Sequence, residues 1–150
     1  MKNVFEAGVA SELIGRINNL NAESKPQWGK MTVGQMLAHC NVAYVQEFET
    51  KFKKPNGIVR FLLRIFIKDM VTNEVPFKPN KITSKNFRIK EDKNFSKEKE
   101  KLIAFINKTQ LLGENHFDNR ESFSFGKLTK QEWSNMFYKH LDHHLKQFGV

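Results

Sequence analysis

The stretch that most limits what this chain can become is its C-terminal segment, Thr129 to Val150. Thr129 is followed three places later by Glu132, the pairing of a capping box. The threonine oxygen accepts from the glutamate backbone N–H, and the glutamate carboxylate accepts from the threonine N–H. Gly149 stands where a helix stops. Between these signals Trp133, Met136, Phe137, His140, His144 and Phe148 recur at helical spacing, so they share one face. Two histidines therefore lie inside an apolar stripe, one turn apart. A buried imidazole needs a polar partner. His at i and i+4 is also a spacing at which one metal ion satisfies two rings.

Upstream the pattern is again helical. Asn3 to Leu20 reads as a first helix whose apolar face is Val4, Phe5, Val9, Leu13, Ile17 and Leu20. Trp28, in the loop that follows, is expected to plug the end of the core. A second capping box, Thr32 with Gln35, opens a helix running to about Phe52. Its main stripe is Val33, Leu37, Cys40, Tyr44, Phe48 and Phe52, with His39 on the flank beside Met36 and Ala43. Ser96 is placed to cap a third long helix that ends at Gly113. Two irregular excursions separate these helices: Thr72 to Phe95, with Pro76 and Pro79, and Glu114 to Leu128, which contains His116. Phe87 to Lys90 is the only strand candidate. The expected fold is all-α, a four-helix bundle in a single domain over residues 1–150.

Ile58 to Val71 does not fit that scheme simply. Arg60, Arg64 and Lys68 are four apart, so one narrow stripe is basic and the rest apolar. Such a segment packs on two sides, forms a dimer contact or rests on a membrane surface. Burial rules favour the first. It is too short to cross a bilayer, and no other run reaches the ~18 apolar residues that crossing requires.

The net charge is +9. Lysines are spread along the chain, usually beside Glu or Asp, without the aromatic and basic interleaving that stacks bases. A solvated basic surface, with no nucleic-acid partner, is the expectation. The one cysteine, Cys40, excludes a disulfide within the chain and fits a reducing compartment. Met1 to Leu20 is no secretory signal. The chain is expected to be cytoplasmic, without a transmembrane segment.

In an antiparallel bundle, facing helices supply ligands to a shared interior site. His39 from the second helix, with His140 and His144 from the last, would make an open, catalytic type of metal site. Such nitrogen donors suit Zn, Ni, Cu, Co or Fe(II). Plainer readings stand beside this one. A lone histidine on a helix flank is more often satisfied by ordinary hydrogen bonds, and surface histidine pairs bind metal adventitiously. His143 points to another flank, either supporting the site or lying on the surface. Cys40 points about 100° away from His39 and belongs to the core. His116 is a hydrogen-bonding loop residue or lines a site mouth. Glu47, two turns after His39 on the same side, is the candidate general base. No Gly-rich phosphate loop or nucleophile elbow is present.

The segments WGKMTVGQMLAHC and FGKLTKQEWSNMFYKHLDHHLKQFG resemble the DinB-like superfamily of metalloenzymes. They resemble more closely its subgroup of small, mostly bacterial proteins known only as a domain of unknown function. The middle, VPFKPNKITSKNFRIKEDKNFSKEKEKLIAFI, is similar to that subgroup as well, so the resemblance spans nearly the whole chain. It implies a four-helix bundle, often a homodimer, with a divalent transition metal held by His39, His140 and His144. Zn or Ni comes foremost, with Fe, Co and Mn as alternatives. Many relatives carry Arg-Gly-Gln after the last histidine; here Leu145 and Lys146 stand before Gln147, a candidate to line or support the site. Some relatives are transferases or isomerases that use low-molecular-weight thiols. The expected function is metal-dependent activation of a water or thiol against a small-molecule substrate. The alternative is a non-catalytic metal-binding or protein-interaction bundle.

Overall fold

Both capping boxes form. Thr32 Oγ1 accepts from Gln35 N at 3.2 Å while Gln35 Oε1 accepts from Thr32 N at 3.0 Å. Thr129 and Glu132 repeat the arrangement at 3.2 and 2.9 Å. These boxes start the two helices that carry the candidate histidines, α2 (Val33–Phe48) and α6 (Lys130–Gln147). The structure, a computed structural model, describes residues 1–80 and 84–150. Lys81, Ile82 and Thr83, within the excursion expected at 72–95, lie outside the described residues. The remaining elements are α1 (Ala7–Asn18), α3 (Gly57–Phe66), α4 (Lys68–Thr72), a 3-10 turn at Lys85–Phe87, α5 (Phe95–Phe117), β1 (Arg120–Ser122) and β2 (Gly126–Leu128). The protein is mostly helical, with one small antiparallel hairpin in which Arg120 faces Leu128 and Ser122 faces Gly126.

The four long helices α1, α2, α5 and α6 share one core. Leu13 and Ile17 come from α1, Leu37 and Tyr44 from α2, Leu102 and Phe117 from α5, and Trp133, Phe137 and Leu141 from α6. Burying each such side chain contributes roughly 1.5–3 kcal/mol. Tyr44 lies between two nearly parallel rings, 4.7 Å from Phe137 and 5.5 Å from Phe105. Such stacks add about 0.5–1.5 kcal/mol each beyond the area they bury. Arg16 ties α1 to α6, donating to Asp142 Oδ1 at 2.9 Å and to the Val150 carbonyl at 2.8 Å.

Several expectations are corrected. The first helix begins at Ala7, because Asn3 to Glu6 form a turn, and the second ends at Phe48 rather than Phe52. Asn94, not Ser96, caps α5 by accepting from Lys97 N at 2.9 Å. Gly113 bends α5 instead of ending it: its φ of 71° breaks the helix, and one more turn carries the chain to Phe117. His116 is therefore helical, not a loop residue. The irregular connection of 114–128 contains the hairpin, closed by Gly126 at φ 76°. Phe87 to Lys90 is no strand; Phe87 ends the 3-10 turn. Trp28 is half-buried and stands beside a cavity rather than plugging the core.

The segment 58–71 departs most. It is two helices, broken at Ile67, and no residue of α3 is buried. Two-sided packing does not occur. Two residues of the basic stripe turn inward, Arg60 paired to Glu121 of the hairpin and Lys68 Nζ 2.7 Å from Glu132 of α6, while Arg64 stays exposed. The apolar face is left outside. α4 is held differently. Lys139 of α6, 2 % exposed, donates to the carbonyls of Met70 and Asn73 at 2.8 and 3.1 Å and to Asn73 Oδ1 at 2.6 Å. An ammonium suits the negative end of a helix, and here it replaces water for carbonyls the helix leaves unpaired. Among the described residues, no helix is long and apolar enough to cross a membrane.

Candidate metal site

Three histidine rings from two helices meet at one wall of the core. His39 and His144 are buried and His140 half-buried. One ring nitrogen from each lies within 4.8 Å of the others, a set that could hold a metal ion. The centroids are 5.0 Å apart for His39 and His140, 4.5 Å for His39 and His144, and 5.0 Å for His140 and His144. The flank of α2 that carries His39 is inside because that helix is covered almost all round.

Hydrogen bonds fix which nitrogens face the centre. His39 Nδ1 lies 2.7 Å from the Phe87 carbonyl oxygen. A carbonyl can only accept, so Nδ1 carries the hydrogen and Nε2 keeps its lone pair. His144 is fixed one step further out. Gln147 Nε2 donates to the Trp28 carbonyl at 2.7 Å, which sets the amide so that its oxygen faces His144 Nδ1 at 2.8 Å. Nδ1 of His144 therefore donates, and its Nε2 is also a bare lone pair. Both partners of this kind orient ligand rings in metal sites. His140 Nε2 lies 3.0 Å from His39 Nε2.

A neutral His140 with its hydrogen on Nε2 donates to the His39 lone pair at that distance, whereas with the hydrogen on Nδ1 the two lone pairs face each other and call for a cation between them. A proton on His140 Nε2 answers one lone pair only. A cation answers all three. Zn–N bonds of about 2.0–2.1 Å require donors about 3.0–3.4 Å apart. The His39–His140 pair already has this spacing, and the whole set must close by at most about 1.5 Å. The donors are all neutral nitrogen, so the residues fit a borderline divalent ion.

Burial lowers the pKa of all three rings. His144 falls from 6.5 to about 3, chiefly by loss of solvation, with His39 adding to the shift and the Gln147 hydrogen bond opposing it. His140 is driven well below its ordinary value by burial, then by His39 and His144. His39 moves the same way through burial, against the bond to Phe87. All three are held neutral near neutral pH, the protonation state that binds metal.

The site opens on a cavity of about 690 Å³. Its walls are mostly apolar, with Trp28, Leu63, Phe77, Phe87, Phe125 and Met136 among them. That size suits a small organic ligand. His143 lines the same cavity, 5.9 Å from the Trp28 ring and 5.8 Å from Phe77. Gln147 sits where it orients His144. Glu47 also borders the cavity, but its carboxylate accepts from Arg120 Nε at 2.7 Å. Burial pushes the Glu47 carboxyl above its ordinary value, and Arg120 pulls against that. His116 is not brought to the site; its ring rests on Phe117 at 5.0 Å.

Three contributors escaped the sequence. The carbonyls of Phe87 and Trp28 act through backbone, which carries no residue signature. Arg120 lies on a three-residue strand too short to show a pattern. Only Gln147, three places after His144 on one helix face, could be found by spacing.

No curated protein and no solved structure matches the chain. Residues 5–149 match a family described as "Protein of unknown function (DUF1569)", and with that match covering nearly its full length the chain belongs to this family.

Proposed function

We propose that this protein is a metal-dependent enzyme of the DinB-like superfamily. In this reading it is a four-helix bundle in which His39, His140 and His144 hold a divalent transition ion, Zn or Ni foremost. Bound there, the ion supplies Lewis acidity, lowering the pKa of a water or low-molecular-weight thiol that attacks a small substrate. The observation that carries the proposal is the pair of outward hydrogen bonds. Phe87 O and Gln147 Oε1 each hold an Nδ1–H, so the lone pairs of His39 and His144 turn toward one another and toward His140. One hydrogen on His140 Nε2 would use only the His39 lone pair, whereas a metal ligand set requires all three to be turned inward. The apolar cavity walls exclude bulk water and position the substrate. Glu47, paired with Arg120, is available as a proton acceptor only if that pair opens.

The test is metal analysis of protein purified without a histidine tag, before and after loading with Zn or Ni. About one equivalent is expected, lost in His140→Ala. Less than about a tenth of an equivalent of any transition metal under both conditions would end the proposal.

A further inference from the structure

We propose that α3 is an interfacial anchor that seats this protein on an anionic lipid surface. The inference stands independently of the metal reading. Ile58, Phe61, Ile65 and Phe66 are between 53 and 76 % exposed, and Leu62 is 46 % exposed. The five fall at helical spacing on the outer side of α3, while Arg60 of that helix is spent on Glu121 and Lys68, just beyond it, on Glu132. A monomeric surface rarely leaves such a run of large apolar side chains together.

Charge and area decide what covers it. From Lys51 to Lys68 the chain has six basic residues and no acidic one. Lys51, Lys53, Lys54 and Arg64 are exposed and form no ion pair among the described residues. Three of them lead directly into the N-terminus of α3. A second copy related by a two-fold axis would bring two sets of these four cations to one interface, with no acidic residue in the 51–68 segment to answer them. It would also gain little surface. Ten residues of helix span about 15 Å, and one face of that length falls well short of the ~800 Å² per partner of a stable interface. A bilayer with anionic headgroups makes neither demand. It meets the cations with opposite charge and receives the apolar face about 5–10 Å deep, however short the helix. The inward residues Leu63 and Ile67 line the cavity, so the same helix touches both the proposed lipid surface and the site.

The experiment is co-sedimentation of the full chain with vesicles. One set is phosphatidylcholine alone; the other contains about 30 % phosphatidylglycerol. The protein is expected to partition onto the second set at low salt. Partition should fall more than about tenfold in Phe61→Ser/Phe66→Ser, through loss of buried apolar area, and in Lys53→Glu/Lys54→Glu, through loss of charge. These side chains are exposed, so the thermal midpoint and helical circular dichroism should stay at wild-type values. Absence of partition onto the anionic vesicles overturns the proposal, as does wild-type partition in Phe61→Ser/Phe66→Ser. Sedimentation equilibrium showing a vesicle-free dimer that the phenylalanine variant dissolves would assign the face to a second copy instead, and would also overturn it.

Discussion

Lowering the pH of the metal-free protein from about 7.5 to about 5.5 is expected to reduce its stability by at least about 1.4 kcal/mol. Burial holds the pKa of His144 at about 3 and that of His140 well below 6.5. In the unfolded chain both return to their ordinary value. Below about 6.5 the unfolded state therefore takes up protons that the folded state refuses. The stability lent by a neutral buried imidazole is whole above that value and drains away as pH falls toward the folded pKa. Over this window His144 accounts for about 1.4 kcal/mol, and His140 adds in the same sense. His39, also lowered by burial, adds in the same sense. Glu47 works in the opposite sense, because burial raises its carboxyl and its proton favours the folded state. Urea denaturation followed by tryptophan fluorescence reads the difference directly. His144→Leu removes one titrating ring and should shrink the loss by about 1.4 kcal/mol. A metal-free chain whose unfolding free energy moves by less than about 0.5 kcal/mol between the two conditions would refute the reasoning.

Two further outcomes follow from the supporting contacts. Gln147→Leu removes the acceptor that fixes the His144 tautomer, and should weaken Zn or Ni binding about 10- to 100-fold in a chelator competition; unchanged affinity would deny Gln147 its orienting role. Gly34→Ala would set a methyl 2.4 Å from the Lys93 carbonyl oxygen, so the chain after Phe87 must shift; a cost of about 1–3 kcal/mol, seen as a lower thermal midpoint with weaker metal uptake, is expected, and a wild-type midpoint would contradict it.

The helices that carry the site were legible because local chemistry and periodicity agree in them. Thr32 with Gln35 and Thr129 with Glu132 announce starts that no tertiary contact overrides. His39 was harder. Its position off the main stripe of α2 argues against burial, but α2 is covered on most of its girth, so periodicity understates what lies inside. The orientation of α3 was not legible. A two-faced pattern does not say which face turns in, and the ordinary rule of polar side outward fails where Glu121 and Glu132 wait for Arg60 and Lys68. The role of Glu47 depended on Arg120, seventy-three positions away, whose hairpin leaves no readable alternation. The Phe87 carbonyl was beyond any sequence pattern, since every residue has one.

The buried ammonium of Lys139 divides the 57–72 arm into unequal parts. Peeling α4 off would strand a positive charge among apolar neighbours and also release Asn135 Nδ2 from the Thr72 carbonyl, which it meets at 2.9 Å. Lys68 adds its ion pair with Glu132 to the same half, whereas among the described residues α3 has only the Arg60–Glu121 pair. The pivot therefore falls at Ile67, where the backbone already leaves the helical path at φ −119°. The outer half of the arm is thus the more lightly held, and the inner half is fastened to α6, next to the imidazoles.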